Sequence, residues 1–75
     1  MLGLEKLLFN NEKLNFGILY ENDNYIYRIE IMQEFGSIYH RESDTNRLSA
    51  LLKLLSYKFV KDEIQEQVKE LFNEQ

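Results

Sequence analysis

Five carboxylates lie close together near the end of the chain: Asp62, Glu63, Glu66, Glu70 and Glu74. Asp62, Glu66, Glu70 and Glu74 repeat at i+4, which on a helix stacks them along one side about 6 Å apart. Like charges at this spacing destabilise a helix by about 0.2–0.5 kcal/mol per pair. The ladder therefore reads either as a solvated face or as a ridge held for a basic partner. Acid pairs for hydrolysis cannot be told from solvating acids by spacing alone. A nucleophile is harder to find. There is no cysteine, and the one histidine, His40, is followed by Arg41 and Glu42. That setting suits a surface or capping role better than acid–base work. Gly3, Gly17 and Gly36 are isolated and form no phosphate loop. A zinc site would need three carboxylates beside His40. The expectation is a chain with no catalytic residue, no metal and no cofactor.

The remaining chemistry is that of surfaces. Net charge is −4; residues 1–60 hold 8 acids and 7 bases, and residues 61–75 hold 5 acids and 2 bases. The acidity is concentrated at the C-terminal end, and an acidic domain repels phosphate backbones, so direct nucleic-acid binding is not expected. With 75 residues and 44% apolar content, the sequence reads as a single globular domain over 1–75 with a small core. There is no apolar run of membrane-spanning length and no secretory leader pattern at Met1–Lys6. A cytoplasmic location, the host cytoplasm if the protein is viral, is the resulting expectation.

Those carboxylates must be positioned by the elements before them. Leu4, Leu7 and Leu8 predict a short helix over 2–10, ending near Asn10-Asn11. Residues 14–20 alternate, with Leu14, Phe16, Ile18 and Tyr20 on one face; residues 25–33 alternate with Tyr25, Tyr27, Ile29 and Ile31 on one face. A four-residue loop, Glu21-Asn22-Asp23-Asn24, pairs Tyr20 with Tyr25 and Leu14 with Ile31, putting both apolar rows on the same side. A second turn near Glu34-Phe35-Gly36 leads to a third strand over 37–41; a three-residue loop turns Tyr39 to the core, a two-residue loop turns Ile38 there, and the three-residue form is favoured. Ser43-Asp44-Thr45 offers N-caps for a helix over 45–59 with the stripe Leu48, Leu51, Leu52, Leu55, Phe59. A phase break near Val60-Lys61-Asp62 lets Asp62 cap a last helix with the stripe Ile64, Val68, Leu71, Phe72. The predicted fold is α+β and two-layered: a short N-terminal helix, a three-stranded antiparallel sheet and two C-terminal helices.

This fold has a second surface. The opposite row of the first hairpin, Leu19 with Ile26, Gly17 with Arg28 and Asn15 with Glu30, lies open unless the N-terminal helix covers it. An open face carrying Leu19, Ile26, Arg28, Glu30 and Met32 suits an interface, including a homodimer. The tyrosines Tyr20, Tyr25 and Tyr27 near the hairpin tip either fill the core or act as contact residues. The candidate partner-binding residues are therefore Asp62, Glu63, Glu66, Glu70 and Glu74 on the ridge, and Tyr25, Ile26, Arg28 and Glu30 on the sheet.

From Leu14 to Phe72 the layout resembles that of certain phage anti-CRISPR proteins. The likeness runs through strands Tyr25–Met32 and Ser37–Arg41, the polar link Glu42-Ser43-Asp44, the Leu48–Phe59 helix and an acidic final helix. The resemblance implies a small non-catalytic inhibitor whose acidic surface occupies the nucleic-acid-binding site of a nuclease, with the ridge as the contact. The alternative is a self-associating structural or adaptor module that uses the apolar sheet face.

Overall fold

Two alternating segments and a turn that tolerates positive φ build the first hairpin. Strands β1 (Leu14–Glu21) and β2 (Asn24–Gln33) pair antiparallel with Tyr20 opposite Tyr25, Ile18 opposite Tyr27, Phe16 opposite Ile29 and Leu14 opposite Ile31. This is the register expected from the two apolar rows. The ladder runs one pair further than expected, to Glu21–Asn24, leaving a two-residue turn at Asn22 (φ 53) and Asp23 (φ 62). Both residue types accept the left-handed region more readily than most, and a two-residue turn of this hand matches the twist of the strands.

The computed structural model describes residues 2–73. Helix α1 (Gly3–Phe9) precedes the hairpin; β3 (Gly36–Asp44), α2 (Arg47–Leu55) and α3 (Lys58–Asn73) follow it. The sheet is a meander in the order β1-β2-β3. Leu8 of α1, Ala50, Leu51 and Leu54 of α2, and Val60 of α3 join Leu14, Phe16, Tyr27, Ile29 and Ile31 in one buried cluster. All three helices therefore contribute to the same side of the sheet, and the architecture is a two-layer α+β fold. No helix among the described residues is long and apolar enough to cross a membrane.

The second hairpin departs from expectation. Gln33 pairs with Gly36, so the loop is two residues, Glu34-Phe35, and Ile38 pairs with Ile31. Ile38 packs against the core, while Tyr39 is exposed on the other face. Neither Glu34 nor Phe35 takes a positive φ; Gly36 does, at 146°. Strand β3 also runs to Asp44, past the expected end at Arg41. Its core-facing row turns polar after Ile38, at His40, Glu42 and Asp44, and the helices supply partners for it. Tyr57 stacks on His40 (centroids 3.8 Å apart, planes at 16°) and donates to Glu42 Oε1 at 2.5 Å. Lys53 pairs with Asp44 at 3.0 Å. His40 is thus half-buried under Tyr57, not a surface cap.

The helix boundaries shift for local reasons. Asp44 is taken up by the Asn46 N–H (2.9 Å), so Asn46 becomes the cap, accepting from the Ser49 N–H at 2.9 Å. The expected caps Ser43, Asp44 and Thr45 lie outside the helix. Replacing Asn46 with Ala removes that acceptor and is expected to lower stability by about 1 kcal/mol in urea unfolding, whereas Thr45→Ala is expected to stay within about 0.5 kcal/mol. The break between α2 and α3 falls at Ser56-Tyr57, earlier than expected, where Ser56 Oγ donates to the Lys53 carbonyl at 2.6 Å. Asp62 then sits inside α3 and pairs with Lys58 at 2.8 Å; it caps nothing. The buried stripe of α2 is Ala50, Leu51 and Leu54, with Leu48, Leu52 and Phe59 about half exposed. In α3 only Val60 is buried; Ile64 packs partly on the core, while Leu71 and Phe72 are exposed.

One charged group ties the layers together. Glu5 has no exposed surface, and it accepts from Arg47 Nε (2.9 Å), Arg47 Nη2 (2.6 Å) and Tyr27 Oη (3.0 Å). α1, β2 and α2 meet at this carboxylate. Burial pushes its pKa up, but the hydrogen bonds from Arg47 and Tyr27 and the Arg47 charge prevail and hold it below the ordinary value.

Candidate functional site: an acidic cleft and an open sheet face

The acidic ridge is anchored from beneath. Gln67, on the inner side of α3, accepts from Asn11 Nδ2 at 3.1 Å and donates to the Leu7 carbonyl at 2.8 Å. These two bonds hold the middle of α3 against the end of α1 and the link into β1. A cleft of about 460 Å³ opens between them, lined by Glu12 and Lys13 on one wall and Glu63, Glu66 and Glu70 on the other.

The predicted acids do not form one uniform row. Glu66 and Glu70 are exposed and one turn apart, and among the described residues neither has a cation within 4.0 Å. Glu63 is half-buried at the cleft wall. Asp62 is drawn into the pair with Lys58, whose pKa the hydrogen bond raises. Glu74 lies outside the described residues. The usable ridge is thus Glu63, Glu66 and Glu70, joined across the cleft by Glu12, a residue that sequence spacing does not reveal because it sits more than fifty positions away.

Among the described residues no helix covers the opposite face of the sheet; Leu8 of α1 packs on the core side with α2 and Val60 of α3. Leu19 (45%), Met32 (59%) and Tyr39 (56%) are exposed there. Ile26 lies on this face between Leu19 and Ser43 and is only 7% exposed, yet it is not part of the core cluster. Arg28 stands directly opposite Arg41 on β3. Like charges across a ladder repel, and among the described residues neither arginine has a carboxylate within 4.0 Å. The Arg28 guanidinium lies over Gly17, where an added Cβ would come within 3.1 Å of Nη2. Gly17 therefore lets Arg28 lie across the sheet. Glu30 is half-buried and accepts from Ser37 Oγ at 3.0 Å. Tyr25 does not join this group: it points to the core side, tilted against Tyr20 at 4.7 Å. Arg41 and Tyr39 complete the face. Sequence reasoning placed Tyr39 on the wrong side through the loop length and did not single out Arg41.

His40, the one histidine, lies on neither surface. His40 Nε2 is buried and has no hydrogen-bond partner among the described residues, with the Tyr57 ring stacked on the imidazole. No group of three or more acids and histidines among the described residues converges to hold a metal ion. One surface is mainly acidic; the other sets Arg28 and Arg41 beside Glu30 among exposed apolar groups. Compared with protein-family models, with curated proteins and with solved structures, the chain matches none.

Proposed function

We propose that the chain is a non-catalytic, protein-binding inhibitor or regulator whose acidic α3 face occupies the basic surface of a nucleic-acid-handling protein. The observation that carries this reading is the pair Glu66 and Glu70, exposed one turn apart with no described counter-ion within 4.0 Å. An uncompensated like-charge pair on a helix weakens the fold slightly, and a cationic partner removes that penalty while steering its own approach. The cleft beside the pair, with Glu12 and Glu63 in its walls, widens the acidic surface beyond one helix. The likeness in layout to anti-CRISPR proteins is in keeping with this reading.

Binding is tested by comparing the immobilised wild-type chain with E66K/E70K in capturing proteins from its source cell, with duplex DNA as competitor. A bound protein that is lost on charge reversal and released by the DNA supports the reading. Capture that survives both charge reversal and competition overturns it. Helicity of E66K/E70K should equal or exceed wild type, because the reversal places no new charge in the interior.

A second reading, a self-associating structural or adaptor module, draws on the sheet face, where Leu19, Met32 and Tyr39 are exposed around Ile26. Its signature is association of the purified chain with itself.

A further inference from the structure

The sheet has two edges, and they are not alike. The Met32 N–H donates to the Lys13 carbonyl at 3.2 Å. The alternation of an antiparallel ladder then turns the backbone groups of Leu14, Phe16, Ile18 and Tyr20 away from β2. That edge is partly closed: the Leu14 N–H is taken by the Asn11 carbonyl at 3.1 Å, and Phe16 is buried with the Phe9 ring against it. On β3 the two-residue loop closes on the bonded pair Gln33–Gly36, which leaves the N–H and C=O groups of Ser37, Tyr39, Arg41 and Ser43 pointing outward. Lys53 Nζ donates to the Ser43 carbonyl at 3.2 Å and closes that end. Ser37, Tyr39 and Arg41 are exposed, and among the described residues no group bonds their outward N–H and C=O. No bulge, proline or lysine interrupts β3 from Gly36 to Asp44, so this edge is open to a further strand.

The free positions are symmetric about Tyr39. An antiparallel copy centred there sets Tyr39 opposite Tyr39 and Ser37 opposite Arg41 in both directions, so every free N–H meets a free C=O. The side chains agree with that register. Arg28 turns away over Gly17, and Arg41 has no carboxylate within 4.0 Å among the described residues. Glu30 lies beside Ser37, accepting from its Oγ at 3.0 Å. Arg41 of one copy, about 5.5 Å from Ser37 of the other as a bonded pair, therefore reaches Glu30 of that other copy. The two Arg41 residues stand about 13 Å apart along the joined strands, so like charges do not meet. Ser43 falls opposite Phe35, the loop residue that is 96% exposed.

We propose that β3 pairs antiparallel with β3 of a second copy of this chain, about a two-fold axis at Tyr39, joining two three-stranded sheets into one continuous sheet. The same residues meet from both sides, so assembly stops at the dimer. The inference rests on the self-association reading and moves its surface from the sheet face to the sheet edge. The α3 face stays free for a basic partner.

Sedimentation equilibrium on the purified chain tests it. Wild type should fit a monomer–dimer equilibrium with nothing larger. Tyr39→Pro removes an N–H that points away from β2, a position where an edge strand accepts proline. It takes one donor from each copy and should weaken the dimer at least about tenfold. R41E and E30K should each be monomeric where wild type is dimeric. Mixed in equal amounts they should dimerise again, because the mixed pair sets opposite charges at both crossings. Leu19→Lys, on the open face, should leave the dimer unchanged. A wild type that stays monomeric at every concentration, or that grows beyond a dimer, overturns the proposal. So does a dimer that Tyr39→Pro leaves intact, or one that Leu19→Lys alone dissolves, which returns self-association to the sheet face. Circular dichroism verifies that the variants are folded; if Tyr39→Pro is not, the charge-swapped mixture decides, and its failure to dimerise overturns the proposal. Capture of a basic partner by α3 should survive Tyr39→Pro, so that reading and this one fail separately.

Discussion

Arg47→Met is expected to lower stability by about 3 kcal/mol, the low end of the range for breaking a buried ion pair because the Arg47 side chain is 40% exposed. The change strands Glu5, which has no exposed surface, with Tyr27 Oη as its one remaining side-chain donor. For a domain of 75 residues, net stability is of the order of 4–11 kcal/mol, so the loss is a large fraction. It corresponds to a fall in Tm of roughly 12–24 °C. The pH dependence should change sign. In wild type the folded-state pKa of Glu5 lies below the ordinary value of 4.5, so its contribution is complete above that value and disappears as pH falls through the folded pKa. In Arg47→Met, burial is left to dominate and raises the Glu5 pKa, so stability should increase as the pH is lowered into the range where Glu5 protonates. Removing both charges, in Glu5→Met with Arg47→Met, should cost less than Arg47→Met alone. Urea unfolding between pH 3 and 7 measures all three. A double variant weaker than Arg47→Met, or a pH profile of unchanged sign, would show that the pair is not what joins the layers.

Ile29→Ala is expected to cost about 3 kcal/mol, and Met32→Ala no more than about 0.5 kcal/mol, although the two residues share strand β2. Ile29 is 0% exposed in the centre of the sheet, flanked by Phe16 on β1 and His40 on β3. Truncation there leaves a void beneath α2 that the paired strands on both sides cannot collapse to fill. Met32 points to the uncovered face and is 59% exposed. Thermal and urea unfolding of the two variants therefore report which face is packed. Similar losses would mean that something covers both faces.

The first hairpin was legible because two separate alternations agree on one register, and a slip by one residue would turn every side chain of one row outward. The second was not. Ser37, Ile38, Tyr39 and His40 place apolar or aromatic groups on both parities, and the residues that decide between them, Tyr57 and Lys53, lie more than ten positions away along the chain. The phase of α2 was ambiguous for a related reason. Leucines at 48, 51, 52, 54 and 55 support two overlapping stripes, and the true one runs through Arg47, Ala50, Leu51 and Leu54. Arg47 sets that phase by reaching Glu5. The local signal was available at the other end: Glu5 lies three residues before Leu8 on the buried side of α1, an odd place for an acid unless a cation meets it there. The ridge on α3 was read correctly as helical. Its division into a paired Asp62, a half-buried Glu63 and exposed Glu66 and Glu70 depends on which way the helix rolls, and Val60 and Gln67 set that through long-range contacts.

The Glu5–Arg47 pair spans 42 positions, whereas the three strands join only to their immediate neighbours. On the ribosome α1 emerges before every element it packs against. The meander can zip hairpin by hairpin as it appears, since its loops are short to close. Glu5 must wait, fully hydrated, until the start of α2 has been synthesised. Helix α1 is thus locked in place only after Arg47 and then Gln67 have followed it.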